Sequence, residues 1–330
     1  DLHSFPTRRS SDLLSNAKAL VQYLSDAENL NLKRIPANKS VGRMGWIGDD
    51  FFSPYVEGLI YDGDENYKYL YEAIGSKGKL EDWVNFVKEI RAEGNVPTTM
   101  ILAASFASVL VKPCNRLPFF IHLWNGTGNG KTVALMLAAS VWGNPAVGEY
   151  INTFNSTSVG QEQLAGFFNS MPLIFDEMQI QTSDNRKDFD SMIYQLTEGV
   201  GRIRGAKEGG IRNRKTWRNC ILTSGEQPIM TSKSGGGAIN RVIEIDTGGI
   251  RFFKDAKNVA DFLVSCYGHA GKVFIDKLME PGNIDMAKKL QGDLFEQMHK
   301  EGVTEKQALA GSLIFDNRSE ERRVGKECRS

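Results

Sequence analysis

No stretch of this sequence is apolar for long enough to cross a bilayer. The longest nearly apolar run, residues 100–111, is broken by serines and falls well short of the roughly 20 residues that a spanning helix needs. It reads as a buried helix, and no membrane attachment is expected. Cysteine is sparse: Cys114, Cys220, Cys266 and Cys328 show no CxxC spacing. Neither a zinc ribbon nor a disulfide framework is indicated, and a reducing, cytoplasmic setting is the expectation. Charge of one sign is not in excess either, because 40 basic and 40 acidic residues give a formal net charge of zero. Attraction to a polyanion therefore has to come from local clusters. His3, His122, His269 and His299 have no ligand spacing to one another or to a cysteine, and they read as isolated structural or surface residues without chemistry.

What is there is an ordinary globular composition over 330 residues, 41% hydrophobic and 24% charged, enough for one large core or two smaller ones. Residues 1–13 and 318–330 read as translated sequencing-adapter flanks, without the period of a packed helix. Between them, 14–96 is expected to form an N-terminal α+β region, 97–250 the core and 251–317 a C-terminal helical region. Glycines and aromatics alternate over 41–78 with turn residues between them, which predicts short strands. Trp83, Phe86, Val87 and Ile90 share one helix face. The apolar run at 100–111 is expected to be helical until Pro113 stops it. From Leu117 the order becomes strand, glycine loop, helix, strand, helix, strand, the alternation of a parallel sheet with crossover helices. The expected strands are 119–124, 150–154, 173–175, 220–223 and 242–245. Beyond Phe253 the chain reads as helices, with Val259, Phe262, Leu263 and Cys266 on one stripe.

The run Phe-Phe-Ile-His-Leu-Trp leads into Asn125-Gly-Thr-Gly-Asn-Gly-Lys-Thr132 and then an apolar helix opening. This is a Walker A loop in its required strand-to-helix context. Gly126, Gly128 and Gly130 let successive N–H groups turn toward phosphate oxygens, and the helix N-terminus reinforces them. Thr127 and Asn129 complete the turn, Lys131 brings a point charge to the outer phosphates of ATP, and the Thr132 hydroxyl suits Mg²⁺. Asn125 stands where glycine is usual, and Asn is the best substitute because it tolerates a left-handed backbone. Met171-Pro-Leu-Ile-Phe-Asp-Glu177 is an apolar strand ending in two acids, 45 positions after Lys131. That matches Walker B: Asp176 is expected to hold Mg²⁺ through water, and Glu177 to take a proton from the attacking water. An acidic strand end facing solvent would be the bland alternative without the loop upstream.

The strand after Arg218 ends in hydroxyls, so Thr223 and Ser224 are both sensor candidates for orienting that water; the strand pattern does not say which faces the nucleotide. Arg241 begins the last strand after Gly235-Gly-Gly237, the position from which a ring ATPase can reach a neighbouring subunit's outer phosphate. A surface arginine paired with an acid is the competing reading. Between Walker B and the sensor strand, Arg202, Arg204, Lys207, Arg212, Arg214, Lys215 and Arg218 face one acid, Glu208. That density predicts a hairpin or loop meeting nucleic-acid phosphates through counterion release, with a solvated charged loop as the alternative.

The runs Leu-Trp-Asn-Gly-Thr-Gly-Asn-Gly-Lys-Thr, Phe154-Asn-Ser-Thr-Ser-Val-Gly160, Tyr194-Gln-Leu-Thr-Glu-Gly-Val-Gly-Arg202 and Trp217-Arg-Asn-Cys-Ile-Leu-Thr-Ser-Gly-Glu-Gln-Pro228 resemble the domain of unknown function 927 family. These are helicase-type ATPases of phages and staphylococcal-cassette-like mobile elements, and the likeness covers about residues 42–271. The resemblance implies an AAA+-like ATPase acting on DNA in mobile-element replication as a hexameric ring. The expected fold is α/β: a P-loop NTPase of ASCE/AAA+-like type, a three-layer α/β/α core with a parallel sheet, a small β-rich N-terminal region and C-terminal helices. The expected function is an ATP- and Mg²⁺-dependent helicase or translocase on single-stranded DNA. A nucleotide-switched DNA-binding or scaffold module without translocation is the first rival, against which Glu177 argues. A small-molecule phosphotransferase is the second, and it has no use for the basic segment.

Overall fold

In the computed structural model, the described residues are 10–49, 51–153, 157–178, 186–205, 210, 213–230, 241–305 and 307–314. The chain divides into two units, residues 1–40 and 41–330. The first holds α1 (Ser10–Asn31), which begins within the stretch read as a flank and leaves Leu20, Val21, Tyr23, Leu24 and Leu30 exposed.

The glycine and aromatic pattern yields the short strands β1 (Ser40–Val41), β2 (Gly45–Ile47), β3 (Phe51–Ser53) and β4 (Ile60–Tyr61), with β2 antiparallel to β3. These are followed by α2 (Lys68–Glu72) and α3 (Leu80–Ala92), which buries Trp83, Val87 and Ile90. The next helix, α4 (Val96–Ala107), starts earlier than the apolar run implied. The Asn95 side chain caps it by accepting from Thr98 N at 3.1 Å, and Pro97 sits in the first turn, where its missing donor costs nothing. Residues 108–110 then tighten into a 3₁₀ turn before Pro113.

The core sheet consists of β5 (Phe119–Trp124), β6 (Asn152–Thr153), β7 (Leu173–Met178), β8 (Cys220–Gly225) and β9 (Val242–Asp246), in spatial order β6-β7-β8-β5-β9 with every pairing parallel. A central parallel strand is covered on both faces and so reads as a continuous apolar run; Phe119 to Leu123 are all buried. Of the strand expected over 150–154, residues 152–153 join the ladder, Tyr150 precedes it, buried with its hydroxyl donating to Pro172 O at 3.0 Å, and 154 lies outside the described residues. Crossovers run through α5 (Lys131–Ser140), α6 (Ser158–Phe168) and α7 (Arg186–Glu198). Right-handed connection puts α5 on one face and α6 with α7 on the other; α4 packs on α5, and α6 on α7. The C-terminal helices include α8 (Ala256–Ser265), which packs on α5, α9 (His269–Leu278) and α10 (Asn283–Lys300), and residues 307–314 are helical as well. Phe262 of α8 stacks on Phe86 of α3 at 3.8 Å between ring centroids, so the predicted stripes meet each other. This is the three-layer α/β/α fold expected of a P-loop protein, and it brings the C-terminal ends of β5, β7, β8 and β9 to one edge. Among the described residues no helix is long and apolar enough to cross a membrane.

Candidate nucleotide site

The turn leaving β5 holds four left-handed residues: Asn125 at φ 68°, Gly126 at 66°, Gly128 at 74° and Gly130 at 94°. Asn125 thus adopts the conformation for which glycine is usual, and its side chain reinforces it. Its Oδ1 accepts from Gly126 N at 2.7 Å, and its Nδ2 donates to Asp246 Oδ1 at 2.9 Å. Gly126 has no room for a Cβ, because the Asn129 side chain occupies that space on its way to donate to Thr247 O at 2.8 Å. Thr247 in turn donates from its hydroxyl to Trp124 O and Asn125 O, at 2.8 and 2.7 Å. A Cβ at Gly130 would lie 3.4 Å from Phe252 and Phe253. The segment 246–253 after β9 therefore buttresses the loop. Sequence reasoning missed it, since a turn such as Asp246-Thr-Gly-Gly249 carries no local sign of what it supports.

Lys131 opens α5 and donates to Asn125 O at 2.8 Å and to Gly126 O. Burial lowers its ammonium pKa, against the opposing pull of Glu226 and Asp176. Thr127 is exposed at the crest of the turn. Thr132 Oγ1 donates to Asp176 Oδ1 at 3.3 Å, so the loop's last hydroxyl and the first Walker B acid meet. β8 lies between β5 and β7, so the two motifs sit on next-but-one strands and converge across it. Ser224 of β8 completes the junction: its hydroxyl donates to Asp176 Oδ1 at 2.5 Å and accepts from Glu177 N at 3.1 Å. Thr223 points the other way, to His122 Nδ1 at 2.8 Å. Strand alternation thus separates the two sensor candidates, and Ser224 is the one beside the acids.

Glu177 is exposed and has φ 56°, uncommon for a residue with a side chain. The cause is in the register. β7 advances from Phe175 to Met178 while β8 advances from Thr223 to Gly225, so β7 carries one extra residue. A bulge of this kind re-aims a side chain. A hydroxyl and a carboxylate on adjoining tips form the hard-oxygen donor set that Mg²⁺ takes, with water and phosphate oxygens filling the remaining positions. A turn of successive left-handed residues at a helix N-terminus is likewise an anion cradle. The residues present fit both groups.

The remaining predicted residues lie elsewhere. Arg241 precedes β9, its carbonyl accepts from Phe120 N at 2.9 Å, and its guanidinium reaches Thr197 Oγ1 at 3.4 Å. It is therefore at the sheet end opposite the loop and does not join this chain's own phosphate turn. The basic segment is a hairpin base: Val200 bridges Thr216 antiparallel, and Gly201 N donates to Lys215 O at 2.8 Å. Arg204 forms a two-pronged ion pair with Glu162, at 2.7 and 2.8 Å, so it anchors the hairpin to α6. Arg214 Nε donates to Gly201 O at 2.9 Å, and the Lys215 ammonium lies 5.6 Å from the Tyr67 ring centroid. Arg202 is exposed. Lys207 and Arg212 lie outside the described residues.

A family model described as Domain of unknown function (DUF927) matches residues 11–216, more than half of the chain. Among solved structures, the SCCmec type IV Cch active helicase is similar with a TM-score of 0.67 at 18% sequence identity, over 94% of this chain and 62% of that one. This chain thus spans less than two thirds of that helicase, and at such identity the likeness is one of fold. A JCV helicase bound to a thiazolopyridine acetamide matches with a TM-score of 0.30 and 12% identity over 66% of each chain. The apo C-terminal region of NrS-1 matches with 0.34 and 14%, over 91% of this chain and 78% of that one. Scores that low carry no structural argument. No curated protein sequence matches the chain.

Proposed function

The chain belongs to the DUF927 family, and on that footing we propose that it is a Mg²⁺-dependent ATP hydrolase of DNA-helicase type, moving on DNA as a ring in the cytoplasm. The observation that carries the reading is the meeting at Asp176 Oδ1 of Thr132, from the helix after the glycine turn, and Ser224, from the intervening strand. In this reading 14–96 is an N-terminal region, 97–250 the ATPase core and 251–317 a helical lid.

The roles follow from the chemistry. Backbone amides of the turn from Asn125 to Gly130 bind the phosphates of ATP, and Lys131 neutralises the outer ones. Thr132 and Asp176 hold Mg²⁺, which when bound offsets charge on the phosphate oxygens. Glu177 takes a proton from the attacking water, and Ser224, with Thr223 behind it, holds the strand tip beside that water. Arg241 serves a neighbouring subunit's outer phosphate, a role that its position away from the chain's own loop supports. Arg202, Arg214 and Lys215, with Lys207 and Arg212, form the contact to single-stranded DNA, while Arg204 steadies their base. A hexamer is the assembly proposed. Glu177 favours hydrolysis over a purely nucleotide-switched scaffold. The test is ATP turnover, with and without single-stranded DNA, in wild type and Lys131→Ala. Turnover that DNA stimulates and the variant abolishes supports the reading; turnover persisting in the variant refutes it.

A further inference from the structure

We propose that His122 is a positioning residue of the hydrolytic site, holding the tip of β8 so that Ser224 can clamp the Glu177 backbone. The proposal rests on the ATPase reading for its consequence, but not for its geometry. His122 lies in the middle of β5, fully buried between Ile121 and Leu123, where an aliphatic side chain would serve packing alone. Its ring instead bridges two groups on the chain that follows. Nδ1 meets Thr223 Oγ1 at 2.8 Å, and Nε2 meets Gln227 O at 3.0 Å. A carbonyl only accepts, so Nε2 carries the hydrogen; in the neutral ring Nδ1 is then the acceptor, and the Thr223 hydroxyl donates to it.

His122 does not act by itself on this face. Register places it beside Thr223 on one side and Glu244 on the other. Glu244 Oε1 accepts from Ile229 N at 2.5 Å and Met230 N at 3.0 Å. The chain leaving β8 is therefore pinned at residues 227, 229 and 230 by side chains of β5 and β9. Ser224 emerges on the opposite face and binds both Asp176 and Glu177 N. The tip is thus gripped on both faces, and what it supports is a glutamate in a sparsely populated backbone conformation, which persists only where its surroundings over-determine it. Hydrogen bonds weaken steeply as geometry departs from ideal, so a tip released on the His122 face loosens the clamp on the other.

The experiment compares the full chain as wild type, His122→Phe, which fills the core but makes neither bond, and His122→Gln, which can still donate to Gln227 O. Single-turnover ATP hydrolysis, nucleotide affinity and amide hydrogen exchange at Glu177 and 224–230 are measured. In His122→Phe hydrolysis should fall by about tenfold to a hundredfold, as for other small misplacements, with affinity within about threefold and faster exchange at Glu177. His122→Gln should recover much of the rate and protection, which a purely structural role in packing would not produce. Wild-type rates and exchange in His122→Phe overturn the proposal. So does a loss of rate, affinity and cooperative unfolding together in both variants. If wild type hydrolyses no ATP, the functional reading fails, and the exchange comparison alone still decides the clamp.

Discussion

Glu177 sits at φ 56° on a bulge, its amide held by Ser224 and its side chain exposed at the sheet edge. A carboxylate placed to accept a proton from water should contribute to the rate and little to ground-state binding. Glu177→Gln should therefore lower kcat by about a hundredfold to ten-thousandfold with nearly unchanged ATP affinity, measured by turnover against fluorescent-nucleotide titration. Equal losses in both quantities would remove Glu177 from the proton-accepting role. His122 yields a second residue-scale prediction. Burial pushes its imidazole pKa down to about 4, opposed by the hydrogen bond to Gln227 O and assisted by nearby Lys131. Between pH 4 and the unfolded value of about 6.5 the unfolded chain binds the extra proton. Its contribution is then fully present above about 6.5 and is lost as pH falls toward 4, on the order of 3 kcal/mol in total. Urea midpoints at pH 7 and 4.5 should diverge in wild type and much less in His122→Phe.

At the scale of elements, the basic hairpin separates into an anchor at Arg204 and the basic residues proposed to meet single-stranded DNA. Glu162 is buried and held by Arg204 together with Gln195, whose Nε2 donates at 2.6 Å. Burial is the largest influence on its carboxyl pKa and would raise it, but the Arg204 hydrogen bonds and charge, with hydrogen bonds from the Arg202 backbone and Gln195, together lower it. Arg204→Ala leaves that buried carboxylate without its ionic partner and should lower stability measurably, though less than for a fully enclosed pair because about a third of the Arg204 side chain meets solvent. Chemical denaturation should show that loss. Arg202→Ala with Arg214→Ala should instead leave stability nearly unchanged. It should weaken single-strand binding and flatten its salt dependence by about 0.7 in logarithmic slope per lost phosphate contact. If the double variant binds with the wild-type slope, the hairpin is not the contact.

For the whole molecule, the parallel sheet sets the phosphate turn and Arg241 at opposite ends of β5 and β9, about six residues apart in register, or roughly 20 Å at about 3.3 Å per residue. An arginine there can assist hydrolysis only from a neighbouring copy. Arg241→Ala and Lys131→Ala chains, each inactive alone, should recover hydrolysis when mixed, because the intact turn of one faces the intact arginine of the other. Full activity of Arg241→Ala alone would end the proposal. Analytical ultracentrifugation with nucleotide reads the accompanying assembly.

By itself the sequence determined the strand-to-turn-to-helix course from Phe119 to Ser140, the left-handed tolerance of Asn125, the acid-tipped strand at Asp176 and Glu177, and the alternation that makes a parallel sheet. Each depends on backbone preference or apolar period within a few neighbouring residues. Only the tertiary structure decided that Ser224 and not Thr223 meets the acids, that Glu177 occupies a bulge, that Asp246 and Thr247 brace a loop some 120 positions earlier, and that His122 bridges to Gln227. Those outcomes depend on strand order and register, which bring together residues far apart in the chain, and no local propensity encodes which distant partner satisfies a given polar atom.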